Sequence, residues 1–424
     1  MSVGASFLNR FLVATQYPDF RNMWLANLWG QAAAWGLIVA RAWLIFDKTD
    51  STAWVGVTTF AAMAPLFFVP PLVGVLADRM DRRTLLSWTY SLNFAQNLLL
   101  AFLALAGVIE VWHIVALSFT NGVVRAAQMP VSQAFAANLV PRHALLNALS
   151  LSAAAMQASR LIGASLVTPL IAIIGAPAAF FLCTLFYALG WVQIMRIQTR
   201  SGGLPFKEGF VENFTNGLRY ASNHPLIGMV IVLVFFHCGL TMAFESLLPG
   251  FARQRLDDAD YFGTLMTGVG AGGLVGSILV GGITSSLTRG RLLFGLGVLS
   301  GGGQILLAIS PGLALAFSAA LIMGAAQAGF MTVGQAVTQS LAADEFRGRV
   351  ASINTLSLGG VMSLMNLFNG FLGRELSASS ILFMQGGLFI GIMVISILAV
   401  TPRMVYTRGI PSEAQPVWSL GPQY

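Results

Sequence analysis

Long apolar runs, each closed by a short polar or charged interruption, recur along the whole chain. A helix needs about 20 mostly apolar residues to cross a hydrocarbon layer. Twelve runs reach that length, at about 21–46, 53–77, 84–108, 113–137, 146–173, 177–196, 225–249, 262–283, 291–309, 312–338, 350–373 and 378–401. They are longer than barrel strands and lack strand-like alternation. The pattern therefore predicts an all-α integral membrane protein with twelve transmembrane helices.

The longest interruption, about 197–224, opens on Gly202, Gly203 and Pro205. Phe206, Phe210 and Phe214 then fall on one helix face, which predicts an amphipathic helix on the membrane surface. This linker separates an N-terminal six-helix bundle (1–196) from a C-terminal one (225–401), with a tail at 402–424. The tail carries Pro411, Pro416 and Pro422 and is expected to be disordered after Arg403. Phe7, Leu8, Phe11 and Leu12 predict a short interfacial helix within residues 1–18.

The two bundles echo each other. The stretch from Gln133 to Leu139 and the stretch from Gln335 to Leu341 each end a span, the fourth and the tenth. The loop after the second span, Gly74 to Arg83, packs Asp78, Arg79, Asp81, Arg82 and Arg83 into six positions. A worn copy follows the eighth span: Gly282, Arg289 and Arg291 remain, and Ser286 stands in the place of the acid. Two related six-span halves around a central site form a transporter architecture.

Composition agrees. Of 424 residues, 56% are hydrophobic and only 9% charged, against about a quarter charged in soluble domains. The net charge of +7 would suit nucleic acid, but its placement argues for topology. Arg10, Arg21, Arg79, Arg82, Arg83, Arg142, Arg196, Lys207, Arg291, Arg347 and Arg349 fall on one side, and Lys48, Arg253, Arg255 and Arg374 on the other. The positive-inside rule makes the termini cytoplasmic. Cys183 and Cys238 lie in spans and offer neither a disulfide framework nor metal spacing. Arg10 and Asp19 interrupt the N-terminus before any cleavable leader could form. With no nucleotide motif, nucleophile arrangement or metal cluster in view, neither an enzyme nor a cofactor is expected.

Ionisable residues inside spans are functional candidates because lipid makes them costly. Asn121, Arg125, Gln128 and Ser132 form one stripe of the fourth span; Gln157, Arg160, Ala164 and Thr168 form one of the fifth. His237, Thr241 and Glu245 share the same helical spacing in the seventh. Arg125 and Arg160 suit an anionic substrate group, through the planar fork of guanidinium, or else pair with a backbone carbonyl or an acid. Glu245 suits proton loading, since a carboxylate answers both to burial and to nearby arginine, or else it caps a neighbour at the cavity mouth. Arg41 either faces the cavity or snorkels outward, and His237 either titrates or fills space through a hydrogen bond. Gly268, Gly272 and Gly276 predict close helix packing rather than a phosphate cradle.

The Gly-x-x-x-Asp-Arg-x-x-Arg-Arg loop between the second and third of twelve spans resembles the major facilitator superfamily. Within it, several stretches resemble the bacterial enterobactin-exporter-like group, also called transmembrane secretion effectors. They are Phe20-Arg21 with Trp24-Leu25-Ala26, Ala42-Trp43-Leu44, Leu139-Val140-Pro141-Arg142 with Asn147-Ala148, Arg160 to Gly163, and Arg347-Gly348-Arg349-Val350. The chain departs from such exporters in the fifth span, where Ala164 follows Gly163 and proline comes only at Pro169; that segment shapes antiporter geometry in the superfamily. The resemblance implies alternating access and an inner gate in which Asp78, with Gly74, Arg79, Arg82 and Arg83, meets the start of the eleventh span, where Asp344, Arg347 and Arg349 lie. It implies a monomer in the bacterial cytoplasmic (inner) membrane, surrounded by lipid. Its expected work is proton-coupled export of a small organic molecule, such as a siderophore or xenobiotic, and three arginines against one glutamate suggest an anion. Import by the same fold, and a receptor or assembly factor that transports nothing, stay open.

Overall fold

The computed structural model describes residues 13–69, 80–141, 144–200, 210–281, 283, 285–342, 346, 350, 353 and 357–409. Every regular element among them is helical. A 3-10 turn, Val13–Gln16, leads into α1 (Pro18–Thr49). Next come α2 (Thr52–Met63), α3 (Arg82–Leu105), α4 (Val111–Asn138), α5 (Leu145–Ile174) and α6 (Ala176–Arg196). The linker helix α7 (Phe210–Asn223) is followed by α8 (Pro225–Leu240), α9 (Leu248–Leu256), α10 (Tyr261–Gly281), α11 (Ser286–Ala308) and α12 (Leu313–Leu341). The last are α13 (Met362–Leu372), α14 (Ala378–Ser396) and α15 (Val400–Arg408).

Among the described residues, 8 helices are long and apolar enough to cross a membrane. The third and fourth expected spans form full helices, α3 and α4, but polar side chains dilute them. Tyr90, Asn93, Gln96 and Asn97 on α3 are buried, as is Asn121 on α4. The seventh expected span stops after 16 residues at Leu240 and resumes only at Leu248. In the eleventh, a π-helical turn, Ser357–Val361, leads into α13. Large apolar side chains such as Phe102, Ile173, Leu279 and Leu398 face outward, as expected where lipid replaces water.

Local chemistry sets the helix ends. Asp81 caps α3 by accepting from the Thr84 amide at 3.2 Å, and Ser285 caps α11 through the Thr288 amide at 3.4 Å. The two related loops thus start their helices with the same device. Gly175, at φ 103°, makes the tight joint between α5 and α6 that an L side chain would strain. Arg83 Nη2 donates to the Met195 carbonyl at 2.8 Å and satisfies the end of α6.

Close packing follows the small residues. A β-carbon on Gly272 or Gly276 would collide with the backbone carbonyls of Leu321 or Ala325, and one on Gly324 with that of Val269. The α10–α12 contact is therefore backbone against backbone, as the glycine spacing predicts. Within the N-terminal half, Gly163 of α5 lies against the Ala32 carbonyl and Gly36 of α1.

The two halves of the sequence meet along α5 with α10, and along α2 with α13. Gly263 faces Thr168, and Gly270 lies on the Leu161 backbone. Gly56 and Gly370 face each other, and Thr52 Oγ1 donates to the Gly370 carbonyl at 3.0 Å. At the same end, Trp43 Nε1 donates to Asp260 at 2.5 Å, and Arg253 pairs with Asp50 at 3.4 Å. At this end the two halves are in direct contact.

One expectation changes, at the C-terminus. The chain after Arg403 is helical as far as Arg408, because α15 docks on α11: Gly290 abuts the Val405 carbonyl, and the Tyr406 ring lies 5.1 Å from Phe294. The interfacial helix expected within 1–18 falls mostly outside the described residues, as do Phe206 and the tail beyond Gly409. Helix α7 does form, and Tyr220 on it stacks against Phe346 at 4.1 Å.

Candidate substrate and coupling site

The break at 241–247 organises the centre of the molecule. Helix α8 ends where Thr241 Oγ1 turns back to the His237 carbonyl at 2.9 Å. Pro249, in the first turn of α9, has no amide hydrogen to bond back to the Glu245 carbonyl, so the helix cannot run unbroken through this point. Unwound backbone at this depth must find partners, because lipid offers none. It finds side-chain amides. Gln304 donates to the Leu240 carbonyl at 3.1 Å, Gln327 to that of Thr241 at 2.6 Å, and Asn369 to that of Ala243 at 2.6 Å. Asn366 accepts from the Ser246 amide at 3.0 Å. Gln385 holds Asn369 in turn, donating to its carbonyl oxygen at 2.6 Å.

Glu245 therefore does not continue a helical stripe with His237 and Thr241, as the spacing predicts. It stands in the break, 1% exposed, and both carboxylate oxygens lack a hydrogen-bond partner. Its electrostatic neighbours are Arg160 and Arg125, which belong to α5 and α4 of the other half. Neither guanidinium reaches ion-pairing distance. Arg160 lies over the Trp35 ring, 4.6 Å from its centroid. Arg125 Nη2 donates to Gln31 at 3.3 Å. Both arginines keep an Nε without a partner.

The remaining candidates take separate places. Arg41 does not snorkel; its side chain is 4% exposed and donates to Asn121 and Asn97, each at 3.3 Å. Gln128 accepts from Asn93 at 3.4 Å, within the polar seam of α3 and α4. His237 bonds Ser300 at 3.1 Å and packs between Phe330 and Phe389, in the apolar core of the C-terminal half. Arg82 opens α3, while Gly74, Asp78, Arg79, Asp344, Arg347 and Arg349 lie outside the described residues.

Sequence reasoning missed the supports: Gln31, Trp35, Gln304, Gln327, Asn366 and Asn369. A signal for four of them was present. Isolated amides in otherwise apolar, glycine-rich spans carry the same cost that drew attention to the arginines.

A family model described as transmembrane secretion effector matches residues 14–418. The chain is 19% identical over 325 residues to the Staphyloferrin A transporter of Staphylococcus aureus, covering 75% of this chain and 80% of that one. It is 24% identical over 375 residues to the putative bacilysin exporter BacE of Bacillus subtilis, covering 86% and 92%. Among solved structures, an auto inhibited POT family peptide transporter shares the fold with TM-score 0.70 at 13% identity, over 94% of this chain and 99% of that one. With so much of its length matched, the chain belongs to the transmembrane secretion effector family within the major facilitator superfamily, and it is a multi-pass membrane transporter rather than an enzyme.

Proposed function

We propose that this protein is a proton-coupled exporter of a small, amphoteric organic molecule, working by alternating access between two six-helix halves with cytoplasmic termini. One observation carries the reading: a buried, unpartnered carboxylate from one half, Glu245, stands among the guanidiniums of Arg125 and Arg160 from the other. Charges that span the dividing surface feel any rocking of the halves, so the protonation of Glu245 follows the conformational state.

The coupling sign narrows the cargo. Antiport requires substrate and proton to compete. A purely anionic molecule on Arg125 and Arg160 would repel the Glu245 carboxylate and favour its protonation, so anion and proton would bind together. A molecule with an amino group beside its acid behaves otherwise. Its acid takes the arginines, its ammonium takes Glu245, and the proton leaves. The expected anion is thereby sharpened to an amino-acid-like or peptide-like metabolite. The relatives named for staphyloferrin A and bacilysin support a small metabolite as cargo. With positive charge inside, the end carrying Asp50, Thr52 and Asp260 is the outer one, where the halves meet as an exporter loading from the cytoplasm requires.

Proteoliposome flux under an imposed pH gradient tests the reading. A panel of amphoteric metabolites, simple organic acids and cationic dyes is offered. Amphoteric solutes moving against protons support it. Transport confined to simple acids, in the same direction as protons, would overturn it, and no flux of any solute would favour a non-transporting role.

A further inference from the structure

The N-terminal half holds a second polar cavity, which shares only Arg125 with the site above. It lies among α1, α2 and α4, has a volume of about 20 Å³, and is lined by Arg41, Thr58, Thr59, Ser118, Asn121 and Arg125 together with apolar side chains. That is room for about one water-sized particle, far too little for an organic solute.

Its lining is unbalanced in two ways. Three donors that belong to it are unspent: Arg41 Nε, Ser118 Oγ and Arg125 Nε. Arg41 and Ser118 are themselves buried, at 4% and 0% exposure. The side-chain partners present are neutral: Asn121 Oδ1 receives Arg41, and the Thr58 hydroxyl donates to the Trp54 carbonyl. The charge is also uncompensated among the described residues. Arg41 donates to neutral amides, the Arg125 cation is one of its electrostatic neighbours, and Glu245 is a neighbour of Arg125 and Arg160 but not of Arg41. Asp47, the acid closest along α1, is exposed at the helix end. A buried charge without a counter-charge costs several kcal/mol even after relaxation.

We propose that this cavity binds a single halide-sized inorganic anion, chloride under physiological conditions, held by Arg41 and Arg125 with the Ser118 hydroxyl as third donor. A water molecule would fill the space but leave the charge standing. The anion neutralises Arg41, and it gives the Nε of Arg125 a partner.

The test uses the full-length protein purified in detergent. Thermal unfolding is followed in sodium chloride and in sodium gluconate at matched ionic strength, for wild type, Arg41→Gln and Ser118→Val. A site that binds only the folded state raises the midpoint with ligand concentration. A saturable rise of a few degrees in chloride, weakened in both variants, supports the proposal. Equal midpoints in both salts for wild type, or a chloride effect kept in full by either variant, would overturn it. If a variant does not fold, bromide-soaked wild-type crystals decide: anomalous density between Arg41 and Ser118 supports the site, and none there refutes it.

Discussion

The side-chain amide of Asn369, on α13, donates to the carbonyl of Ala243 at 2.6 Å and so ties a distant helix to the break that carries Glu245. Replacing it by leucine removes the donor and strands a carbonyl in a dry interior. Leaving a buried polar group unpaired costs about 1–3 kcal/mol. The Asn369→Leu protein is expected to melt several degrees below wild type in detergent and to lose flux. An unchanged midpoint would mean that Asn369 does not hold the break.

Helices α10 and α12 touch through their backbones. A leucine at Gly272 has no space beside the Leu321 carbonyl. Overpacking typically costs about 1–3 kcal/mol, so Gly272→Leu is expected to lower the melting point sharply. The same change at Gly302, whose surroundings are open, should shift it far less. Equal effects at the two positions would contradict the packing account.

The contact between the halves at this end rests on Gly56 facing Gly370. A β-carbon on Gly370 would come within 2.9 Å of the Gly56 Cα, so a larger side chain there wedges α2 and α13 apart. Gly370→Leu is expected to cut transport sharply, while Gly302→Leu, in open surroundings, should leave it near wild type. Undiminished flux in Gly370→Leu would mean that the two helices need not close on each other.

Arg160 lies over the Trp35 ring, 4.6 Å from its centroid, and a guanidinium suits an aromatic face better than an ammonium does. Arg160→Lys keeps the charge and loses the planar contact. Substrate affinity is expected to fall roughly 10-fold, about 1.4 kcal/mol, while the melting point stays near wild type. Equal affinity would place the substrate elsewhere.

Much of this was readable along the chain, and the reasons differ by residue. Arg125 and Arg160 announced themselves because charge in an apolar helix is costly and must face protein or water. The glycines of α10 gave their packing because only close approach explains a small residue every fourth position. The break before Glu245 was not readable. No glycine or proline falls between Thr241 and Leu248 to mark it, and the amides that allow unwinding, Gln304, Gln327, Asn366 and Asn369, lie far along the sequence. Arg41 stayed open between two readings for a related reason. Its distance from the helix end permits snorkelling, and only the partners Asn97 and Asn121, on other helices, turn it inward.

The central claim is that Glu245 carries the coupling proton. Glu245→Gln keeps the shape and removes the titratable group. In proteoliposomes the variant is expected to retain substrate exchange at equal pH on both sides while losing all accumulation driven by a pH gradient. Gradient-driven accumulation at the wild-type level in Glu245→Gln would contradict the account.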